Sequence, residues 1–102
     1  MERLEYEFAA GQPAAGRTVS GVVSSGDLEV LLEPAAAGRT TIAVQTSVDG
    51  YGGTWKALLT RVFGAGDLPA ARIEINDNGA TPGVVRMRIE QAYEQVNDGG
   101  RP

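Results

Sequence analysis

Leu4, Tyr6 and Phe8 alternate with Arg3, Glu5 and Glu7 at the start of the chain, the period of two expected of a half-buried strand. Glycines and a proline over residues 9–16 predict a loop. A second strand is expected over residues 18–24, and a third over 28–33, where Leu28, Val30 and Leu32 share one face. Leu31 breaks that alternation, which suggests partial cover on both faces, and Pro34 should end the strand. After a short loop at 35–39, Ile42, Val44, Thr46 and Val48 point one way from a fourth strand over 41–48.

The period then changes. Trp55, Leu58, Leu59, Val62 and Phe63 recur at the spacing of a helix lying on a sheet. Gly64 follows where a left-handed C-cap would stand. Ile73 and Ile75 mark a short strand over 71–76, and Asp77-Asn78-Gly79 should turn the chain. Thr81 and Pro82 make a helix start, with a hydroxyl N-cap and a proline at the first helical position. Val85, Ile89, Ala92 and Val96 continue its apolar face, with Val84 and Tyr93 beside it.

The expected order is four strands, a helix, a strand and a helix. Short connections should pair the early strands antiparallel, and the crossover through the first helix should make strand 71–76 parallel to a neighbour. The prediction is an α+β fold in a single two-layer domain over 1–102. Its mixed, mostly antiparallel sheet has four to five strands, with two helices packed on one face. Residues 1–96 are expected to form the ordered core and 97–102 a flexible tail.

Composition narrows the function. The chain has 102 residues, 42% hydrophobic and 22% charged, enough for one packed core but not for a deep private active site. Net charge is −4, and eight of the nine basic residues are arginines that form no run. Nucleic acid and anionic membrane are therefore not expected partners. With no His and no Cys, the usual base near neutral pH, thiolate chemistry and the usual hydrolytic triads are missing. No apolar stretch approaches the ~20 residues of a membrane span, and the acidic start is unlike a secretory signal. A cytoplasmic module that works with partners is expected.

Val23-Ser24-Ser25-Gly26-Asp27 lies between two strands and reads first as a hairpin turn, with Gly26 free to take positive φ. The same turn would expose a hydroxyl on a rigid scaffold, within reach of a modifying enzyme. Gly50 to Gly53 read as a flexible connector, since the lysine and spacing of a phosphate loop are absent. Glu74 to Gly79 lacks EF-hand spacing and reads as a turn. Arg86 and Arg88, two apart on a helix, read as solvated or rim residues and not as an anion clamp.

The run from Val22 through Ser25-Gly26-Asp27 to Pro34 resembles the acyl carrier (delta) subunit of malonate decarboxylase. The resemblance continues in Val44-Gln45-Thr46-Ser47-Val48 with Gly50 and Trp55, and in Ile75-Asn76-Asp77 and Gly79 to Arg86. Together these blocks cover roughly residues 1 to 96. The acyl carrier (gamma) subunit of citrate lyase is similar more distantly, through the Ser-Gly-Asp turn and the next strand, and is the alternative. A non-catalytic assembly or binding module is the second alternative.

The resemblance implies that Ser25 carries 2′-(5″-phosphoribosyl)-3′-dephospho-CoA through a phosphodiester, with Ser24, Gly26 and Asp27 forming the attachment turn. Heterologously expressed protein need not carry the group. Ser24 is the competing hydroxyl. On a strand entering a turn, neighbouring side chains point oppositely, so only one should face the transferase. The implied partners are an acetyl/malonyl transferase subunit, decarboxylase subunits, a malonyl transferase and the prosthetic-group transferase. The implied role is to hold acetyl and malonyl thioesters while malonate becomes acetate and CO₂. The cofactor supplies that chemistry, and the chain is a carrier without catalytic or metal-binding residues.

Overall fold

A computed structural model describes residues 1–99. Their order is β1 (Glu2–Ala9), β2 (Thr18–Gly21), β3 (Asp27–Pro34), β4 (Arg39–Thr46), α1 (Gly52–Phe63), β5 (Ala71–Asn78) and α2 (Pro82–Gly99). One five-stranded sheet runs β1-β4-β5-β3-β2. Three of its pairings are antiparallel, and β4 with β5 is parallel, Val44 opposite Ile75. The expected α+β architecture is the one observed.

The inward residues of the sheet are those picked out by alternation. Leu28, Val30, Leu32, Ile42, Val44, Ile73 and Ile75 are buried against Trp55, Leu59 and Phe63 of α1 and Val85, Ile89, Ala92 and Val96 of α2. Both helices therefore cover one face of the sheet. The other face carries Arg3, Glu5, Glu7, Arg72 and Glu74, all exposed. Leu31 lies half-buried on that open face, which accounts for its break in the pattern. Burying these aliphatic side chains supplies roughly 1.5–3 kcal/mol apiece and holds the layers together.

The pairing of the early strands differs from expectation. β3 and β4 are joined by a short loop but are not neighbours, because β5 sits between them and pairs with both. Two strand spacings are about 10 Å, a gap that residues 35–38 span easily. With neighbours on both sides, β5 satisfies both edges of its backbone while Ile73 and Ile75 reach the middle of the core. β1 and β2 become the two edges of the sheet.

Three local features also depart from the sequence reading. The strand expected to reach Ser24 ends at Gly21, whose φ of +84° turns the chain out of the sheet. Gly64 is not left-handed: with φ −64° it continues the helix, donating to the Thr60 carbonyl at 2.7 Å. Asp77 and Asn78, expected in a turn, extend β5. Of the expected tail, residues 97–99 continue α2 and residues 100–102 lie outside the described residues. The α2 start is as read from sequence, the Thr81 hydroxyl accepting the Val84 N–H at 3.3 Å.

Candidate functional site

β2 and β3 form a hairpin whose connection, Val22 to Gly26, is wholly exposed. Its last part is a tight turn, Ser24-Ser25-Gly26-Asp27, closed by the Asp27 N–H donating to the Ser24 carbonyl at 3.0 Å. Ser25 occupies the first corner position. Gly26, with φ +76°, occupies the second, where a type II turn needs positive φ. A Cβ added at Gly26 would meet nothing within 4 Å, so the tip stands in open space. The Gly26 N–H donates to the Asn78 carbonyl at 2.8 Å, fastening the turn to the end of β5.

Both serines are exposed, and both lie beyond the end of β2. The strand alternation expected to separate Ser24 from Ser25 therefore does not operate here. What separates them is the turn. Ser24 has its N–H directed to the Val22 carbonyl and its C=O to the Asp27 N–H, while Ser25 stands at the corner. Val22 and Val23, each 58% exposed, flank them.

Asp27 joins the turn to the body of the domain. Its Oδ1 accepts the Leu28 N–H at 2.7 Å and Arg88 Nε–H at 3.2 Å, and its Oδ2 accepts Arg88 Nη2–H at 2.7 Å. Both side chains are about three-quarters or more buried. The pairing is bidentate, the form in which a guanidinium fits a carboxylate best. The Arg88 donors and then the Leu28 N–H hold the Asp27 carboxyl below the usual carboxylate range, and Asp27 in turn raises Arg88. The expectation that Arg88 is a solvated or rim residue is thus corrected. Arg86 does fit it, exposed and 3.7 Å from Glu90. A spacing of two sends two helix residues different ways, but sequence does not say that one of them reaches a residue 61 positions earlier.

The pair belongs to a longer chain of contacts. Arg88 Nη1 also donates to Gln91 Oε1 at 3.1 Å, which accepts the hydroxyl of buried Ser20 at 3.1 Å. Gly21 makes room for the guanidinium. A Cβ there would fall 3.0 Å from Arg88 Cδ and Nε and 2.2 Å from the Leu28 carbonyl oxygen.

Asp77 organises the adjoining end of the sheet. Its Oδ2 accepts the Thr46 hydroxyl at 2.8 Å and the Gly79 N–H at 3.3 Å, and its Oδ1 the Ala80 N–H at 3.0 Å. Its oxygens are committed to protein donors, in line with reading that segment structurally. Beside it, an apolar groove of about 300 Å³ opens between the starts of α1 and α2, with Val48, Trp55, Leu58 and Val85 in its walls. No group of acidic side chains among the described residues is arranged to hold a metal ion.

Comparison with known proteins gives the family of this small two-layer domain. The sequence profile of the malonate decarboxylase delta subunit matches residues 15–96. The chain belongs to that family. It is 61% identical over 96 residues to the malonate decarboxylase acyl carrier protein of Pseudomonas paraeruginosa, covering 94% of this chain and 97% of the relative. The protein of the same name from Azotobacter vinelandii is 55% identical over 98 residues, covering 96% and 99%. A chain in the crystal structure of a Pseudomonas malonate decarboxylase hetero-tetramer in complex with malonate superposes with a TM-score of 0.91 at 54% identity, covering 94% of this chain and 99% of that one. Of the two carrier families that the sequence resembles, the comparisons select this one, and the place it gives the chain is that of an acyl carrier subunit and not a catalytic one. No helix among the described residues is long and apolar enough to cross a membrane.

Proposed function

We propose that Ser25 is the attachment point of 2′-(5″-phosphoribosyl)-3′-dephospho-CoA, and that through it this delta-family chain serves a cytoplasmic malonate decarboxylase that converts malonate to acetate and CO₂. The observation that carries the assignment is the exposed corner position of Ser25 on a turn held from behind by Asp27 and Asn78. Open space around the tip accommodates a bulky phosphodiester without displacing any core side chain. When bound, the group would supply a thiol able to carry acyl groups as thioesters.

The chain's own part is narrower. Attachment forms a bond from Ser25 Oγ to phosphorus, breaks the bond from that phosphorus to the leaving group of an activated phosphoribosyl donor, and releases the hydroxyl proton. Asp27 is a poor acceptor for that proton, since Arg88 and the Leu28 N–H favour its charged form and so weaken it as a base. With no His in the sequence and Asp27 committed to Arg88, the base is assigned to the transferase. Afterwards the domain presents the arm to an acetyl/malonyl transferase subunit and to decarboxylase subunits. The hetero-tetrameric state of the related Pseudomonas enzyme supports partners of this kind.

Intact mass of the subunit purified from its native host should show the full increment of the group, mapped to Ser25. Ser24→Ala should keep the increment and Ser25→Ala should lose it. A Ser25→Ala chain that still accepts the group would overturn the assignment, and so would a reconstituted complex that turns over malonate without it.

A further inference from the structure

Arg88 lies on α2, far in sequence from the hairpin, yet it grips the base of the hairpin from both sides. Through Asp27 it holds the first residue of β3, and through Gln91 it is linked to Ser20 on β2. A second contact along the same flank joins the Thr18 hydroxyl to Gln95. The two limbs are thereby fixed to a helix whose Val85, Ile89, Ala92 and Val96 are locked in the core. Beyond the clamp, Val22 to Gly26 are exposed, held by backbone bonds within the turn and by the Gly26 N–H to the Asn78 carbonyl.

We infer that Arg88 is the positioning residue of the attachment turn, its bidentate grip on Asp27 setting where the Ser25 hydroxyl stands when the transferase engages it. The inference rests on the assignment of Ser25 above. Without the clamp, backbone bonds alone would hold the five-residue connection, and small swings about the Ser24–Asp27 and Gly26–Asn78 bonds would move Oγ. Ordering it in advance removes that entropy from the encounter, and in-line displacement at phosphorus is sensitive to placement. An exposed ion pair would do little here. This one is mostly buried, forked and coupled to a second acceptor, and the forked geometry gives direction as well as attraction. Gly21 fits the same role, because any larger residue would meet the Arg88 stem.

The test measures attachment to the full chain by the prosthetic-group transferase with a fixed concentration of an activated phosphoribosyl-dephospho-CoA donor. The temperature is kept well below the melting point of every variant. Arg88→Gln is expected to lower kcat/KM about 10- to 100-fold, as loss of alignment commonly does. The loss should fall mainly on kcat, with KM for the carrier within about twofold. Arg88→Lys keeps the charge and loses the fork, and should also be slow. Arg86→Gln, on the same helix but outside the clamp, should be modified at the wild-type rate. Wild-type rates in Arg88→Gln, or full rescue by Arg88→Lys, would overturn the inference. Peptide mapping separates the two claims. A group found away from Ser25 in the wild type sinks the attachment assignment, whereas equal rates onto Ser25 in wild type and Arg88→Gln sink the clamp alone.

Discussion

Gly21 and Gly26 bracket the candidate turn and share a positive φ, +84° and +76°. Their surroundings differ completely. A Cβ at Gly26 would meet nothing within 4 Å, whereas one at Gly21 would fall 2.2 Å from the Leu28 carbonyl oxygen and 3.0 Å from Arg88 Cδ and Nε. Alanine in the left-handed region costs about 1–2 kcal/mol at either position. The reduced freedom of the unfolded chain returns roughly 0.4–1 kcal/mol in both variants and cancels between them. Gly26→Ala should therefore cost roughly 0–1.6 kcal/mol. Gly21→Ala must also move a carbonyl of the β2–β3 hairpin and displace the Arg88 stem, which adds roughly 1–3 kcal/mol as overpacking does. The difference between the variants isolates that close approach. Urea unfolding followed by circular dichroism reads it as a lower midpoint for Gly21→Ala at an unchanged slope. Equal midpoints for the two variants would refute the argument that Gly21 is needed for packing as well as for its φ.

Two further predictions concern other parts of the frame. Asp77→Ala strips partners from the Thr46 hydroxyl and from the Gly79 and Ala80 N–H groups. It should cost roughly 1–3 kcal/mol in urea unfolding, and a variant as stable as wild type would show these groups to be equally well served by water. Tyr93 donates to the Pro69 carbonyl at 3.2 Å, and burial pushes its phenol up to about 12. The unfolded chain loses that proton near pH ~10 and the folded chain later, so stability should fall by roughly 2–3 kcal/mol as pH rises from about 10 to about 12. Tyr93→Phe should flatten that part of the pH profile, and an unchanged slope in this variant would remove Tyr93 as its source.

Much of the site was legible in the sequence, for identifiable reasons. Ser25-Gly26-Asp27 falls between two strands with clear alternation, and a glycine beside two serines at such a junction is a turn by local chemistry. The capped start of α2 was equally local, since Thr81 and Pro82 need nothing beyond their neighbours to act as they do. The partner of Asp27 was not legible. Arg86 and Arg88 have the same composition and nearly the same place on one helix. Only the packing of α2 across β3 and β2 makes Arg88 a clamp and leaves Arg86 in solvent.

The same division runs through the fold. Period-two and helical spacing determined which side chains face inward, because the hydrophobic effect acts on each element whatever its neighbours are. They identified Val30, Ile42, Ile73, Leu59 and Ile89 as core, and all are buried. The order of strands was decided by the tertiary structure. A short loop from β3 to β4 suits a hairpin as well as it suits a gap. What fills the gap is β5, a strand that arrives only after α1 has crossed the sheet. Backbone hydrogen bonding is blind to sequence, so no local pattern announces which edge a late strand will join. Ser25 shows both halves of the rule. Its turn is written in adjacent residues, while the Asn78 carbonyl and Arg88 guanidinium that hold the turn in place come from β5 and α2.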